Sequence, residues 1–304
     1  MTAYLAGIDG GQSSTTAVIG DACGRIVGRG RAGPADEINA GHESTRLHDA
    51  LHGALQAART AANLAGNTAF AAIVAGISGY EGRVYGKKPE LPTQRLLLVH
   101  DALIAHAGAL DGAAGVVAIA GTGSVVYATG GARPWLAGGW GYLFGDEGSA
   151  FWVARETLSA LMQRADRGED AGDEMRVAGE FFNAPTLRAL GRAFYAGEIS
   201  RERLAAFAPT AMRYPAGRAI AERGADALGA TVRAALAAGA TPTVTFVGGM
   251  FADARFREAL ARAIRSAFPA THFVAPKYEP SIGALALAYQ EAGFGPFAEI
   301  RERT

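Results

Sequence analysis

The chain has 304 residues, with 29 lysines and arginines, 29 aspartates and glutamates, and one cysteine, Cys23. This length favours two domains, and the balanced charge creates no overall field that would attract nucleic acid or an anionic membrane. A single cysteine excludes an internal disulfide framework, an all-cysteine zinc site and an iron–sulfur cluster held by one subunit. We therefore expect a cytoplasmic protein that acts on small molecules, with no nucleic-acid or membrane partner.

The first part of the chain predicts three strands, a helix and two further strands. Apolar or β-branched runs at 4–8, 15–19 and 25–29 are separated by glycine-containing turns, which is typical of a hairpin meander. Apolar residues then recur at helical spacing over 42–65. Buried-strand runs follow at 70–76 and 96–99, and this mixture of strands and helices indicates an α/β fold.

A partial repeat begins near residue 115. Residues 115–131 repeat the strand, glycine turn, strand and turn of residues 5–24, and 134–137 resembles the third strand. We place the domain boundary near residue 113, which gives domains 1–113 and 114–304, with a last helix that can pack back on the first domain. The later part predicts helices at 147–164, 172–195, 200–213 and 216–238, a strand at 243–247 and a last helix at 281–292.

Two glycine turns are candidates for phosphate binding. The first follows Asp9, and its residues Gly10, Gly11, Gln12 and Ser13 offer backbone N–H groups and a hydroxyl to phosphate oxygens, while Asp9 would hold Mg²⁺ through water. The second, Gly121-Thr122-Gly123-Ser124, occupies the equivalent place in the repeat, so the two turns can clamp one polyphosphate. Glycine, serine and threonine are also the usual content of any tight turn, and no P-loop or Rossmann motif is found.

The acidic and aromatic candidates each have a structural alternative. Asp101 follows an apolar run at a strand's carboxyl end, where α/β sheets bind ligands, but it can also cap the helix that begins there. Asp146 can cap a helix too, although the glycines around it indicate that something approaches the backbone closely. Trp140 lies between glycines and is a candidate for lining a site. The histidines, His100 and His106 among them, lack metal-ligand partners at workable spacing.

These motifs occur in an order that resembles a known family. Asp9-Gly-Gly-x-Ser-Ser-Thr, Asp101, Gly121-Thr-Gly-Ser124, Gly138-Gly-Trp-Gly141, Gly145-Asp-Glu-Gly-Ser149 and Gly248-Gly249 are similar to the N-acetylglucosamine kinase and BadF/BadG-type ATPase family of the hexokinase and actin superfamily. The resemblance spans Tyr4 to about Ala292, and the Gly-Trp-Gly and Gly-Asp-Glu-Gly-Ser segments are its most specific part.

The resemblance implies an α/β fold of two ribonuclease-H-like, actin-like ATPase domains that flank an interdomain cleft for ATP and a sugar. Asp101 would accept the proton of the sugar 6-hydroxyl, Mg²⁺ would assist, and the protein would form a homodimer. Ser13 and Thr122 would touch the ATP phosphates, with Gly248 and Gly249 against the adenosine. The implied sugar-binding residues, besides Asp101, are Ser124, Gly139, Trp140, Gly141 and Asp146.

The chain departs from the family pattern near residue 35 and after the second turn. An asparagine is expected shortly after a Gly-x-Ser near residue 35, where this chain has Gly33-Pro-Ala-Asp-Glu-Ile-Asn39, and Val125 stands where the vertebrate enzyme has asparagine. Asp36 or Glu37 would pair with a free 2-amino group, which would favour glucosamine over N-acetylglucosamine. Two other functions on this fold stay open: an ATP-hydrolysing activator of the BadF type, and a sugar sensor without catalysis.

Overall fold

The computed structural model describes residues 3–37, 41–169, 172–295 and 300–302. The chain divides into two compact units, the first formed by Met1–Val117 with Ala275–Thr304 and the second by Ala118–Val274. Residues 275–304 thus belong to the first unit. The sequence analysis placed them in the second domain, with a last helix that can pack back on the first. Within the described residues, no helix is long and apolar enough to span a membrane.

The first unit contains a six-stranded sheet in the order β11-β3-β2-β1-β4-β5. Its first three strands form the predicted antiparallel meander, while β4 and β5 continue the sheet in parallel with β1, and β11 pairs in parallel with β3. The strands are β1 (Tyr4–Gly10), β2 (Thr15–Asp21), β3 (Arg25–Ala32), β4 (Ile73–Ile77), β5 (Leu96–His100) and β11 (Arg301–Glu302). The helices are α1 (Arg46–Ala61), α2 (Asp101–Ala109) and α10 (Pro280–Glu291).

Two apolar clusters form the core of this unit. Leu5 and Ile8 of β1 point into different clusters, because side chains an odd number of residues apart on a strand face opposite sides of its sheet. One cluster includes Leu47 and Leu51 of α1, and the other includes Leu285 of α10. The sheet is therefore buried on both sides, and the ends of its strands are left for ligand binding.

The second unit contains a five-stranded sheet in the order β10-β9-β6-β7-β8. Its strands are β6 (Val116–Ala120), whose first two residues belong to the first unit, β7 (Ser124–Ala128), β8 (Trp135–Gly138), β9 (Thr243–Val247) and β10 (His272–Val274). Its helices are α3 (Ala150–Asp166), α4 (Gly172–Phe182), α5 (Leu187–Tyr195), α6 (Arg201–Ala205), α7 (Ala208–Ala211), α8 (Pro215–Ala237) and α9 (Ala254–Arg265), and Gly249–Ala252 forms a short 3-10 helix. The predicted repeat is confirmed, since β6, β7 and β8 follow the same strand and turn pattern as β1, β2 and β3.

The helices of the second unit differ from the prediction in two places. The single helix predicted over 172–195 is wrong: Asn183 has a left-handed backbone (φ 52°), which ends α4, and Thr186 caps a new helix by accepting from the N–H of Ala189 at 3.1 Å. The stretch 200–213 is likewise two short helices, α6 and α7. Helix α9 and strand β10 were not predicted.

Candidate functional site

The first candidate phosphate turn joins β1 to β2 in the first unit. Gly11 closes it, because its N–H donates to the carbonyl of Ser14 at 3.0 Å while its own carbonyl accepts from the N–H of Ala35 at 3.0 Å. Ser13 and Ser14 are exposed at the tip. The residues predicted from the sequence to bind phosphate therefore lie in one turn: Gly10, Gly11, Gln12 and Ser13.

Asp9 precedes this turn and is half-buried near the carboxyl end of β1. Burial, followed by the negative charges of Asp101 and Glu279, raises the pKa of Asp9 from 3.8 to about 7. A nearby cation would restore the ionised form, so the carboxyl suits Mg²⁺, which is usually held by one or two carboxylates with waters and phosphate oxygens. Among the described residues no group of three His, Cys, Asp or Glu side chains is placed to hold a metal ion, so magnesium would need those further ligands.

The carboxyl ends of three neighbouring strands bring the acidic candidates together. Strand β1 pairs with β4 through Gly10 and Ile77, and β4 pairs with β5 through Ile77 and His100. The residues that follow, Ser78 after β4 and Asp101 after β5, leave the sheet at the same edge as Asp9, as expected for parallel strands about 4.8 Å apart. The sequence prediction that Asp101 lies at this edge agrees with its position in the structure.

Asp101 begins α2 but does not cap it. The cap is His100, whose Nδ1 accepts a hydrogen bond from the N–H of Ala102 at 3.1 Å. The Oδ1 atom of Asp101 lies 2.8 Å from that same Nδ1 and is buried without a hydrogen-bond partner among the residues described. The capping alternative for Asp101 is thus wrong, and its side chain, 26 % exposed, is partly accessible to a ligand.

Glu279 is a component of this site that the sequence interpretation missed. It immediately precedes α10, and its carboxylate accepts from the hydroxyl of Ser281 at 2.8 Å and forms an ion pair with Arg29. The ion pair and this hydrogen bond lower the pKa of Glu279 overall, although burial, the largest single effect, acts to raise it. Glu279 is therefore a fixed negative charge beside Asp9, and the only local sequence signal for it is the Glu-Pro start of the last helix.

A cavity of about 100 Å³ lies at the carboxyl end of β4 and is lined in part by Ser78, Tyr80, Arg83 and Glu37. A cavity of this volume has room for several water molecules or a small polar group. Glu37 does not offer a free carboxylate there: its oxygens accept from the N–H groups of Tyr85 at 2.8 Å and Gly86 at 2.7 Å.

Asp36, the other candidate partner for an amino group, is buried, and its Oδ1 lies 3.4 Å from Nη1 of Arg46. Both carboxylates thus have partners within the protein. Asn39, which the sequence comparison with the family pattern singled out, lies outside the described residues.

The second candidate phosphate turn joins β6 to β7 in the second unit. Asp146 and Glu147 hold this turn by hydrogen bonds. The Oδ1 of Asp146 accepts from the N–H of Ser124 at 3.2 Å, and the hydroxyl of Ser124 donates to the carbonyl of Glu147 at 2.8 Å. Asp146 is buried with a left-handed backbone (φ 62°), and burial raises the pKa of its carboxyl. The structure therefore gives Asp146 a role in holding Gly121-Thr122-Gly123-Ser124, while its contact with a sugar stays a prediction.

Gly248, at the end of β9, lies directly against this turn. A Cβ atom at Gly248 would come within 2.3 Å of the carbonyl oxygen of Ala120 and 3.0 Å of the N–H nitrogen of Gly121, and its φ is 120°. Only glycine fits both restrictions. Gly249, by contrast, would have open space around a Cβ. Of the two glycines predicted to lie against the adenosine, Gly248 is therefore packed against the second turn and Gly249 is not.

The glycine-rich segment after β8 presents an exposed apolar surface. Gly139 donates its N–H to the carbonyl of Ser124 at 3.0 Å, which holds the start of the segment beside the second turn, and Gly141 accepts from the N–H of Gly145 at 2.8 Å. Trp140 is 76 % exposed, and Phe144 is 85 % exposed. Within the unit, then, Trp140 is available for a ligand but is not part of an enclosed pocket.

Two such glycine turns, each following the first strand of a repeated three-strand meander, define an α/β protein of the actin-like ATPase fold. The chain belongs to the BadF/BadG/BcrA/BcrD ATPase family, whose model matches residues 6–288.

Solved structures support the fold. The "Putative N-acetylglucosamine Kinase" of Chromobacterium violaceum is 23 % identical with a TM-score of 0.77, covering 94 % of this chain and 99 % of that one. A glucokinase of the ROK family from Streptomyces griseus, in complex with glucose and AMPPNP, is 16 % identical with a TM-score of 0.61, and covers 94 % of this chain and 99 % of that one. A curated relative, the N-acetylmuramic acid/N-acetylglucosamine kinase of Clostridium acetobutylicum, is 38 % identical over 77 residues, which is 25 % of each chain.

Proposed function

We propose that the protein is a kinase that transfers the γ-phosphoryl group of ATP to the 6-hydroxyl group of an amino sugar, with Asp101 as the general base. The observation that carries this proposal is the side chain of Asp101, which is 26 % exposed although its Oδ1 is buried against His100, at the strand edge that also holds Asp9. A sugar hydroxyl would donate to the accessible part of this carboxylate, and its proton would pass to the carboxylate as the oxygen attacks phosphorus.

The two glycine turns would bind the phosphates of ATP. Each turn is held in place by hydrogen bonds within its own unit, and glycine-containing turns of this kind commonly bind anions through backbone N–H groups. Membership of an ATPase family supports ATP as the nucleotide. Mg²⁺, held by Asp9 through water, would supply positive charge against the transferring phosphoryl group. The proposed phosphate ligands are Gly10, Gly11, Gln12, Ser13, Gly121, Thr122 and Gly123, with Gly248 and Gly249 near the adenosine.

N-acetylglucosamine is the sugar that we favour, with glucosamine second. The names of the Chromobacterium and Clostridium relatives support the first, whereas the partners of Asp36 and Glu37 within the protein weaken the charge argument for the second. The proposed sugar contacts are Asp101, Ser124, Gly139, Trp140, Gly141 and Asp146. A homodimer is a further part of this proposal.

The test is ADP release from Mg²⁺·ATP in the presence of N-acetylglucosamine, glucosamine, N-acetylmannosamine, N-acetylmuramic acid or glucose, run beside Asp101→Asn. We expect release that depends on one of the amino sugars, and a loss of roughly 10²- to 10⁴-fold in kcat for the variant, because the general base is removed. Thermal unfolding of both proteins checks that the variant is folded. Near-normal turnover by folded Asp101→Asn would remove this residue from the role of base.

An ATP-driven activator of the BadF type is the second candidate, because the family is named for such ATPases. Activators of this kind are expected to hold an iron–sulfur cluster between two subunits with two cysteines from each, whereas this chain has only Cys23, in an exposed turn. ADP release that is indifferent to every sugar would favour this candidate over the kinase.

A further inference from the structure

His100 is in contact with the proposed base, although no sequence motif selects it. Its Nδ1 atom lies 2.8 Å from Oδ1 of Asp101 and 3.1 Å from the backbone nitrogen of Ala102. The side chains of His100 and Asp101 are 21 % and 26 % exposed, so both are partly shielded from water, yet within its reach. Serine, threonine, aspartate and asparagine are the usual residues at a helix N-cap, so a histidine here calls for another explanation.

The two contacts of Nδ1 require opposite protonation states. To accept from the N–H of Ala102, Nδ1 must carry a lone pair, which places the proton of the neutral ring on Nε2. To bind the carboxylate of Asp101, Nδ1 must instead carry a proton, or Asp101 must be protonated and donate to it. While Asp101 is ionised and Nδ1 is unprotonated, two acceptors face each other at 2.8 Å. This contact does not have hydrogen-bond geometry, and Oδ1 has no hydrogen-bond partner among the described residues.

The other charged groups near this pair lie on β1, on β3 and at the start of α10. Asp9 on β1 and Glu279 before α10 are the other acidic groups at this edge, and the charges of both Asp101 and Glu279 act on Asp9. Arg29 on β3 pairs with Glu279 rather than with Asp101. On β4, the strand paired with β5, the residue opposite His100 is the apolar Ile77, and Ser78 follows it. Among the described residues, His100 is thus the basic group that contacts Asp101.

We infer that His100 is a positioning residue for Asp101 and that it receives the proton which Asp101 removes from the sugar hydroxyl. This inference rests on the proposed kinase function. In the transfer step, the O–H bond of the sugar breaks, an oxygen–phosphorus bond forms, and the bond from the γ-phosphorus to the bridging oxygen breaks to leave ADP.

The proton then moves along the existing contact. It passes from the sugar to Asp101, and from Asp101 to Nδ1 of His100, which becomes an imidazolium ion. That ion loses its Nε2 proton to water, and exchange with water restores the starting tautomer. Asp101 is thereby returned to its ionised form for the next turnover, and no additional reactant is consumed.

The experiment compares wild type with His100→Asn, His100→Ala and the control His272→Asn, which removes an exposed histidine of the second unit. Asparagine keeps an oxygen that can accept from the N–H of Ala102, but it does not titrate, so His100→Asn separates capping from proton transfer. Values of kcat and KM for the sugar are measured by ADP release from pH 5.5 to 9. Thermal unfolding of each variant is measured alongside.

We expect His100→Asn to unfold at the wild-type temperature and to keep the wild-type KM. Its kcat should fall about 10-fold, less than for loss of the base itself, and the dependence of its kcat on pH should differ from that of wild type. His100→Ala should show the same kinetic change and also unfold ~2–4 °C lower, because it loses the cap. His272→Asn should retain the wild-type profile.

Two results would overturn the inference while leaving the kinase proposal intact: a wild-type pH profile and kcat in His100→Asn, or a loss of activity that tracks only its thermal stability. Nitrogen NMR of the free protein gives a test that needs no substrate. The neutral ring of His100 should carry its proton on Nε2, and a neutral ring with its proton on Nδ1 would contradict the contact with Ala102 on which the inference depends. Failure of the kinase proposal itself would appear separately, as sugar-independent ADP release by wild type.

Discussion

Replacing Asp9 with asparagine is expected to stabilise the free protein above neutral pH, even though the proposed function needs this residue. The pKa of Asp9 is raised from 3.8 to about 7 by burial and by the charges of Asp101 and Glu279. When a carboxyl has a higher pKa in the folded state, the folded protein binds more protons between the two values, so stability falls as the pH rises through that window. Below about pH 4 the Asp9 carboxyl does not lower the unfolding free energy, and above about pH 7 it lowers this free energy by the full amount.

The size of the effect follows from the shift. A difference of about three pKa units corresponds to about 4 kcal/mol of unfolding free energy, which is a ceiling. Because Asp9 is only half-buried, water screens part of its charge, and we expect about 2 kcal/mol at pH 8. In a unit of this size that is a rise of roughly 4–8 °C in the unfolding temperature.

The assay is thermal unfolding of wild type and Asp9→Asn at pH 5, 6, 7 and 8 without nucleotide. The difference between the two proteins should be small at pH 5 and grow to its maximum by pH 8, since other titrating groups cancel in the difference. Asp49→Asn is the control, because the pKa of this exposed carboxyl is lowered by hydrogen bonds from Thr45 and His48. This control should give no gain at pH 8.

Two observations would refute the reasoning. The first is an Asp9→Asn protein that is no more stable than wild type at pH 8. The second concerns Asp101→Asn, which removes one of the charges that raise the pKa of Asp9. That variant should shift the loss of stability toward lower pH, and an unchanged profile would show that the two carboxyl groups do not interact.

Glycine substitutions in the second unit separate packing from ligand binding. Gly248→Ala should lower the unfolding free energy by about 2–4 kcal/mol, because its Cβ would meet the carbonyl of Ala120 and its φ of 120° disfavours a side chain, whereas Gly249→Ala should change stability little. Urea unfolding measures both, and equal effects would contradict the assigned packing. Gly121→Ala has open space for its Cβ, so it should keep wild-type stability but raise the KM for ATP about 10-fold if phosphate occupies that space. An unchanged KM would remove Gly121 from the phosphate contacts.

The sequence predicted the two strand meanders well because their turns are marked locally. Glycine residues between short β-branched runs specify tight connections, and such signals do not depend on the rest of the fold. The helix over 172–195 was predicted as continuous because its apolar spacing continues through the break. Only the Asn183 to Thr186 stretch, with Pro185 inside it, signals the end of one helix and the cap of the next.

The candidate site was predictable only where a motif occupies consecutive residues. The turn at Gly10 and the position of Asp101 after its strand could be identified in this way. His100 was dismissed because its interaction is with the adjacent side chain and with a helix N–H, and neither has a spacing signal. The hydrogen bond from Asp146 to the second turn could not be predicted, because its partner Ser124 is 22 residues away along the chain and no motif links the two.

The raised pKa of Asp9 depends on contacts between residues far apart along the chain, which no short motif predicts. Glu279 lies near Asp9 because α10 packs closely on β1 and α2 within the first unit. A Cβ at Gly7 would lie 2.1 Å from the nitrogen of Leu285, and one at Gly283 would lie 2.0 Å from the oxygen of Ile104. Such backbone contact is possible only between glycines and their neighbours, and it fixes the start of α10 beside the carboxyl end of β1. A negative charge is thereby held next to Asp9 at a cost in stability, and that same charge strengthens the attraction of this edge for a cation.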